Sequence, residues 1–424
     1  MRILLSAYAC EPGKGSEPAV GWNLVRQIAR FHQVWVITRV NNRGPIEKAL
    51  AQEPLPNVRW VYFDLPRWAR FWKKGRKGLH AYYYLWQIGT YRLANKLHRQ
   101  VGFDLAHHVT IGASWYPTFL PLLPLPFVWG PVGAGLPSPK LFQREFSFRG
   151  KLSEWARQGL RVLSQLDPIR GLAEKRASMI LAISPASVEQ LKPANRRRAQ
   201  LFSQVGINSK ELVALGEKRG EGGNSFSLLS VGRLLCWKGF ALGIKAFALF
   251  HKQFPNSEYW ILGDGPERAR LVRLVSSLGL SSAVRFLGHL SREDYFNRLV
   301  HCNVLVYPGL HEPGAFVIAE AMAARRPVIC LDLGEPASIV TDETGIKIPA
   351  SSPEEAVTGI SQACARLAGN PALCEQMGDA GRKRILELFQ WDVKGAAMAA
   401  IYNRVSTFSA APLREDCCQV ERLI

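Results

Sequence analysis

Apolar residues recur along this chain in two rhythms that alternate. Short apolar runs at 3–7, 34–38, 58–63, 105–108, 127–129 and 179–183 read as strands, and stretches with helical spacing, such as 20–30 and 82–100, separate several of them. A second series follows, with strands predicted at 226–232, 258–263, 284–287, 304–307, 327–331 and 346–348 and closing helices at 370–388 and 391–405. Strands that alternate with helices predict mostly parallel, doubly wound sheets covered on both faces. The predicted fold class is therefore α/β, with two Rossmann-like domains. Between the series, GEKRGEGGN at 216–224 is polar and glycine-rich, as a linker is. The expected division is a first domain at 1–215, a linker at 216–225, a second domain at 226–390, a helix at 391–406 and a flexible tail at 407–424. Two such domains imply a cleft, and α/β sheets bind ligands beyond the C-terminal ends of their strands.

Composition agrees with this picture. The 424 residues exceed one ordinary core, and 47% hydrophobic with 21% charged residues describes a folded chain. Eight cysteines are scattered without CxxC spacing or a Cys/His cluster, which reads as reduced thiols in a cytoplasmic protein. The opening apolar run is too short for a signal peptide. Residues 110–139 carry no charge but contain seven prolines, which a continuous membrane-spanning helix does not tolerate.

Charge adds something the pattern does not. Residues 1–220 hold 33 Lys+Arg against 13 Asp+Glu, so the whole net charge of +20 lies there and the remainder is balanced. Such an excess attracts an anionic partner: nucleic acid, a membrane surface or a phosphorylated substrate.

The candidate chemistry lies mostly in the second half. In HEPGAFVIAEAMAARRPVI at 311–329, Glu312 precedes a Pro-Gly turn and Glu320 follows eight residues later. If that span is helical, the carboxylates stand about 12 Å apart along the axis, too far to form one acid/base dyad. They could instead hold two parts of an elongated ligand. The N–H groups of Gly314, Ala315 and Phe316 at the helix start suit an anion or sugar hydroxyls. The bland alternative makes Glu312 a helix-terminus residue and Glu320 a solvated one. Upstream, VGRLLCWKG at 231–239 ends a strand and offers Arg233 as a forked donor and Lys238 as a point charge for a diphosphate. GDGP at 263–266 and FLGH at 286–289 follow two further strands.

In this order and spacing the segments resemble glycosyltransferase family 4, the retaining, nucleotide-sugar-dependent group 1 enzymes with the GT-B fold, over almost the whole chain. The resemblance implies that Glu312 contacts the donor sugar, Glu320 the ribose, Arg233 and Lys238 the diphosphate, and the main chain at Gly288 and His289 the nucleobase. It also matches AYACEPGKGSEP at 7–18 to the family's glycine-rich loop, where Gly13 and Gly15 let the backbone approach the donor phosphates. No GxGxxG is present to support a dinucleotide loop instead. DLAHH at 104–108 matches the place of a histidine near the reacting sugar, so His107 and His108 are both candidates. WGPVG at 129–133 and ISP at 183–185 also match, and the Trp391 helix resembles one that crosses back to the first domain. The chain departs from the family at Gly314-Ala315, where Phe-Gly is common, and at Gly334-Glu335, where Gly-Gly is common. Glu335 is thereby placed beside the expected donor pocket.

No Asp-x-Asp triplet is present to hold a divalent metal, so no cofactor or metal is expected and Arg233 and Lys238 are left to neutralise the leaving group. The acceptor reading rests on residues 65–103, which contain nine cations and no acid, interleaved with Trp68, Phe71, Trp72, Tyr82, Tyr83, Tyr84, Trp86 and Tyr91. Cations among interfacial aromatics suit an anionic membrane, whereas no nucleic-acid-binding module is recognisable. The expected partner is thus a saccharide or lipid-linked saccharide acceptor at the cytoplasmic membrane face. A GT-B epimerase or phosphorylase, and a non-catalytic membrane- or glycan-binding protein, are the competing classes.

Overall fold

The computed structural model describes residues 1–73, 78–133, 135–216, 225–311 and 314–408. The chain divides into two compact units. The first comprises Met1–Gly135, Leu160–Gly206 and the chain from Trp391 onward, and the second comprises Leu136–Gly159 and Ile207–Gln390. The boundary therefore differs from the expected 1–215: residues 136–159 and 207–215 belong to the second unit. Side chains fix the first of these segments there. Lys245 donates to Glu145 (2.6 Å), Ser147 donates to Glu267 (2.6 Å), and Gly150 packs so closely on Cys236 that a Cβ would lie 2.7 Å from its sulfur. The linker residues 217–224 and the tail from 409 lie outside the described residues.

The first unit holds a parallel sheet of β1 (Arg2–Ser6), β2 (Gln33–Thr38), β3 (Val58–Tyr62), β4 (Leu105–His108), β5 (Phe127–Val132), β6 (Met179–Ala182) and β7 (Ala199–Leu201). Their order is β3-β2-β1-β4-β5-β6-β7. The second unit holds β8 (Phe226–Val231), β9 (Ser257–Leu262), β10 (Val284–Gly288), β11 (Val304–Tyr307), β12 (Val328–Leu331) and β13 (Gly345–Ile348), ordered β10-β9-β8-β11-β12-β13 and also parallel. In each sheet the strand order reverses at one place, between β1 and β4 and between β8 and β11, where doubly wound folds bind ligands. β7 and the helix Phe148–Gln165 were not among the predicted elements. Several helices start on side-chain caps: Ser184, Ser291, Ser352 and Asn370 each accept from a backbone N–H at the third residue on.

The helix Trp391–Phe408 is part of the first unit and lies against the helix Glu17–Ile28. Gly395 permits this approach, since a Cβ there would lie 2.7 Å from the Gln27 side-chain oxygen. From this helix the Tyr402 hydroxyl meets His107 Nδ1 at 2.6 Å, while His107 Nε2 faces the Gly130 carbonyl at 2.5 Å. A carbonyl only accepts, so Nε2 carries the proton and Nδ1 accepts from Tyr402. Both nitrogens of His107 are thus engaged inside the core. His108, on the other face of β4, meets the Tyr83 hydroxyl through Nε2 at 3.2 Å, and its Nδ1 is buried without a partner among the described residues.

The aromatic stretch after residue 67 also departs from expectation. Tyr82, Tyr83 and Trp86 are fully buried in the helix Leu79–Val101, with Tyr83 and Trp86 on Tyr8, Trp86 also on Phe63, and Tyr82 on Trp72. They belong to the core and offer nothing to a membrane. Trp68 and Phe71 are exposed, and Lys74, Arg76 and Lys77 lie outside the described residues.

Burial pushes His107 down to about 4 against the opposing bond to Gly130, and burial with the neighbouring His107 pushes His108 down to about 3. Unfolded histidines bind protons near pH 6.5, so below that pH the unfolded chain holds protons that the native one does not. Stability should therefore fall as pH drops from about 6.5 towards 4, by at most about 1.4 kcal/mol per pH unit for each histidine. In an NMR titration of the folded protein, the ring C–H signals of His107 and His108 should stay fixed between pH 8 and pH 5. Signals that move with an ordinary midpoint would show that the rings are not held neutral in the core.

Candidate functional site

The C-terminal ends of the second sheet bring the predicted phosphate residues onto one edge. After β8 the chain turns at Gly232, and the loop that follows is pinned to the next two crossings. Leu234 donates its N–H to the Asp264 carbonyl (3.0 Å), and its own carbonyl accepts from Glu267 N–H (3.1 Å). Two glycines make the packing possible. A Cβ on Gly263 would lie 2.1 Å from the Gly232 carbonyl oxygen, and a Cβ on Gly239, which has φ +71°, would lie 1.8 Å from the Pro308 oxygen. The loop is thus seated on the chain leaving β11. Lys238 holds the Tyr307 hydroxyl at 3.2 Å and lies over its ring, while Arg233 is exposed and unpaired among the described residues. Gly288 ends β10 with φ +64° and open space where a side chain would be, and His289 beside it is exposed.

The region around the two predicted carboxylates is more tightly organised than expected. Glu312 lies outside the described residues, and the helix begins only at Phe316, as Phe316–Ala323. The span 312–320 is therefore not helical throughout, and the axial separation inferred from it does not hold. Glu320 is buried, not solvated: one oxygen accepts from Arg292 (2.6 Å) and the other from the Tyr295 hydroxyl (2.5 Å). Arg292 is shared with Glu211 (2.7 Å), and despite burial these carboxylates hold its guanidinium firmly charged. Of the three amides expected to be open, that of Gly314 already donates to the Glu335 carboxylate (3.3 Å), itself fully buried. Ala315 is buried and Phe316 half-buried.

One cluster here went unrecognised in the sequence. His311 stacks on Trp237 (5.4 Å between ring centres, 10° between planes). Its Nε2 meets an Arg157 guanidinium nitrogen at 2.8 Å and lies 3.4 Å from the Glu154 carboxylate. Arginine only donates, so Nε2 accepts and the shorter contact fixes the neutral ring; burial likewise pushes His311 down. Burial alone would raise the Glu154 carboxyl, but the Arg157 guanidinium 2.9 Å away opposes this and holds it down. Glu154 also accepts from Ser138 N–H (3.1 Å). The faint signal was the Glu154–Arg157 spacing of three; the link to a residue 154 positions later exists only in the fold.

In the first unit, the loops after β1 and β4 meet. The carboxylate of Glu17, at the start of its helix, accepts from Ile111 N–H (2.7 Å) and Gly112 N–H (2.9 Å). Burial pushes this carboxyl up, and the two backbone donors oppose that shift. Ile111 sits at φ +65°, a strained conformation for a β-branched residue. Gly13 and Gly15 have open space around the positions a side chain would take.

Among the described residues no helix is long and apolar enough to cross a membrane. The sequence pattern of the family described as "Glycosyl transferases group 1" matches residues 215–384. The α-D-kanosaminyltransferase of Streptomyces kanamyceticus is 25% identical across 83% of this chain and 87% of its own. The lipopolysaccharide core biosynthesis glycosyltransferase LpsD of Rhizobium meliloti is 30% identical across 43% of this chain and 50% of its own. Among solved structures, HepE of Anabaena in complex with UDP superimposes with a TM-score of 0.64 at 16% identity, covering 95% of this chain and 99% of that one. With parallel sheets of seven and six strands, this chain is a glycosyltransferase of GT-B-like fold whose residues 215–384 carry the group 1 (family 4) sequence pattern.

Proposed function

We propose that the protein is a retaining hexosyltransferase that moves a sugar from a nucleoside-diphosphate sugar to a saccharide acceptor, lipid-linked, in exopolysaccharide or cell-envelope glycan synthesis. The observation that carries the donor half is the glycine-walled loop 232–239, which is fixed to the chain leaving β11 and presents Arg233 and Lys238. In this reading the two cations hold the diphosphate. Glu320 takes the ribose through the lone pairs that Arg292 and Tyr295 leave open, and the open edge at Gly288 and His289 takes the base. Glu312 orients the sugar, with Ala315 and Phe316 beside it. Gly13 and Gly15 leave room for the phosphates on the first unit's side.

Transfer breaks the bond between the anomeric carbon and the diphosphate oxygen, and the electron pair leaves with the nucleoside diphosphate. The acceptor oxygen forms its bond on the same face, and its proton passes to the departing phosphate oxygen. Arg233 and Lys238 stabilise the charge that grows on that group. Of the histidine pair, His107 has both nitrogens committed, so the sugar-side role falls to His108 and its unpartnered Nδ1. The acceptor half is supported by the +20 charge of residues 1–220 and by the lipopolysaccharide-core role in the name of the Rhizobium relative.

Titration calorimetry with UDP, GDP and ADP tests the donor seat. Arg233→Ala or Lys238→Ala should weaken the best-bound nucleotide by about 1.5–3 kcal/mol, the range for hydrogen bonds to charged groups. Unchanged affinity in a folded variant would remove the assignment. Transfer of radiolabelled sugar onto a membrane-extracted acceptor fraction should survive excess EDTA with its rate nearly unchanged. Loss of that rate, restored by Mg²⁺ or Mn²⁺, would contradict the cation-only stabilisation of the leaving group.

A further inference from the structure

The helix Phe148–Gln165 is amphipathic the wrong way round for a helix that only stabilises a core. Phe148, Leu152, Trp155, Val162 and Leu163, with Leu166 just beyond, are 81%, 57%, 64%, 60%, 63% and 80% exposed. At 100° per residue these six side chains fall within an arc of roughly 100°. The opposite arc carries Gly150, Glu154 and Arg157, and it is this polar side that the protein covers. A contiguous stripe of large apolar side chains on a folded surface marks a place where something else binds.

Charge identifies the occupant. Arg149 and Lys151 flank the stripe on its two edges, and the single acid in the helix, Glu154, is buried against Arg157. The next acid, Asp167, caps the following helix by accepting from Ile169 N–H. The stripe therefore has a cationic rim in a half of the chain that carries the whole +20. A second copy would bring the same cations and be repelled. An anionic lipid surface complements both features, with phosphates for the rim and acyl chains for Phe148, Leu152, Trp155 and Leu163. We infer that the helix Phe148–Gln165 is a membrane-docking element, lying in the plane of an anionic bilayer with its apolar stripe among the acyl chains. This deepens the membrane part of the proposed function by naming the surface responsible, in place of the central aromatics after residue 67, which are core.

Co-sedimentation of the full chain with vesicles tests it without turnover, so its outcome is separate from that of the transfer assay. The protein should pellet with phosphatidylcholine vesicles containing about one-third phosphatidylglycerol and stay in solution with phosphatidylcholine alone, and added salt should weaken the binding. The triple variant Leu152→Gln, Trp155→Gln, Leu163→Gln alters only exposed positions, so its fold should hold, as circular dichroism would check. Its partitioning should fall at least tenfold. Arg149→Gln with Lys151→Gln should fall several-fold, and Trp68→Ala with Phe71→Ala should bind like the parent. Equal binding to neutral vesicles, undiminished binding of the triple variant, or loss only in the Trp68/Phe71 variant would each overturn the inference. So would a parent that ignores vesicles but is a dimer that the triple variant dissociates, since the stripe would then be a contact between copies.

Discussion

The donor half of the molecule depends on a close approach of two backbones. Residue 239 sits so near the Pro308 carbonyl that any side chain would place its first carbon 1.8 Å from that oxygen. Only glycine fits, and its left-handed φ also lets the chain turn directly into the helix Phe240–Gln253. Because the loop 232–239 rests on the strand leaving β11, its two cations are set by the sheet and not by a free loop. Lys238 leans on Tyr307, the last residue of β11, and Leu310 N–H donates to the Trp237 carbonyl (2.9 Å). β8 and β11 are neighbours only because the strand order reverses between them. Topology therefore creates the place, and a missing Cβ allows the chain to occupy it.

This explains what could be read from the sequence and what could not. Parallel strands covered on both faces must be apolar at almost every position, so β8, β9, β11 and β12 announce themselves within a residue or so of their ends. β7 is only three residues long, split by Gln200, and gives no such signal. Glycines beside strand ends were visible, as were Arg233 and Lys238 in their loop. Contacts fixed by packing alone were not. Nothing local tells Glu320 that Arg292 and Tyr295 will reach it, and nothing in the pair His107-His108 says that Tyr402, 295 positions later, will close one ring. The aromatics of 82–86 misled for a related reason. Composition cannot separate an interfacial ring from a core ring, and the helix turned Tyr83 and Trp86 inward onto Tyr8 and Tyr82 onto Trp72.

The helix Phe148–Gln165 shows the opposite failure. Its apolar spacing is plain, yet spacing does not say which side faces out. What turns it is the ionic side. Glu154 is nearly inaccessible, and it tolerates burial because Arg157 and the Ser138 amide surround it. A buried carboxylate stripped of those partners would be strongly destabilising, so the pairing decides the helix's rotation. With the polar side committed inward, the apolar side has nowhere to go but out. The same inward side also reaches the donor loops, since Arg157 fixes His311 three residues before Gly314.

Glu335 is fully buried at the start of its helix in the second unit. Its carboxylate accepts from the amide of Gly314, the group otherwise offered to a ligand at the entrance to the helix Phe316–Ala323. The Gly314 amide is thus engaged within the chain, which leaves the cations of the loop 232–239 as the donors of the proposed phosphate seat.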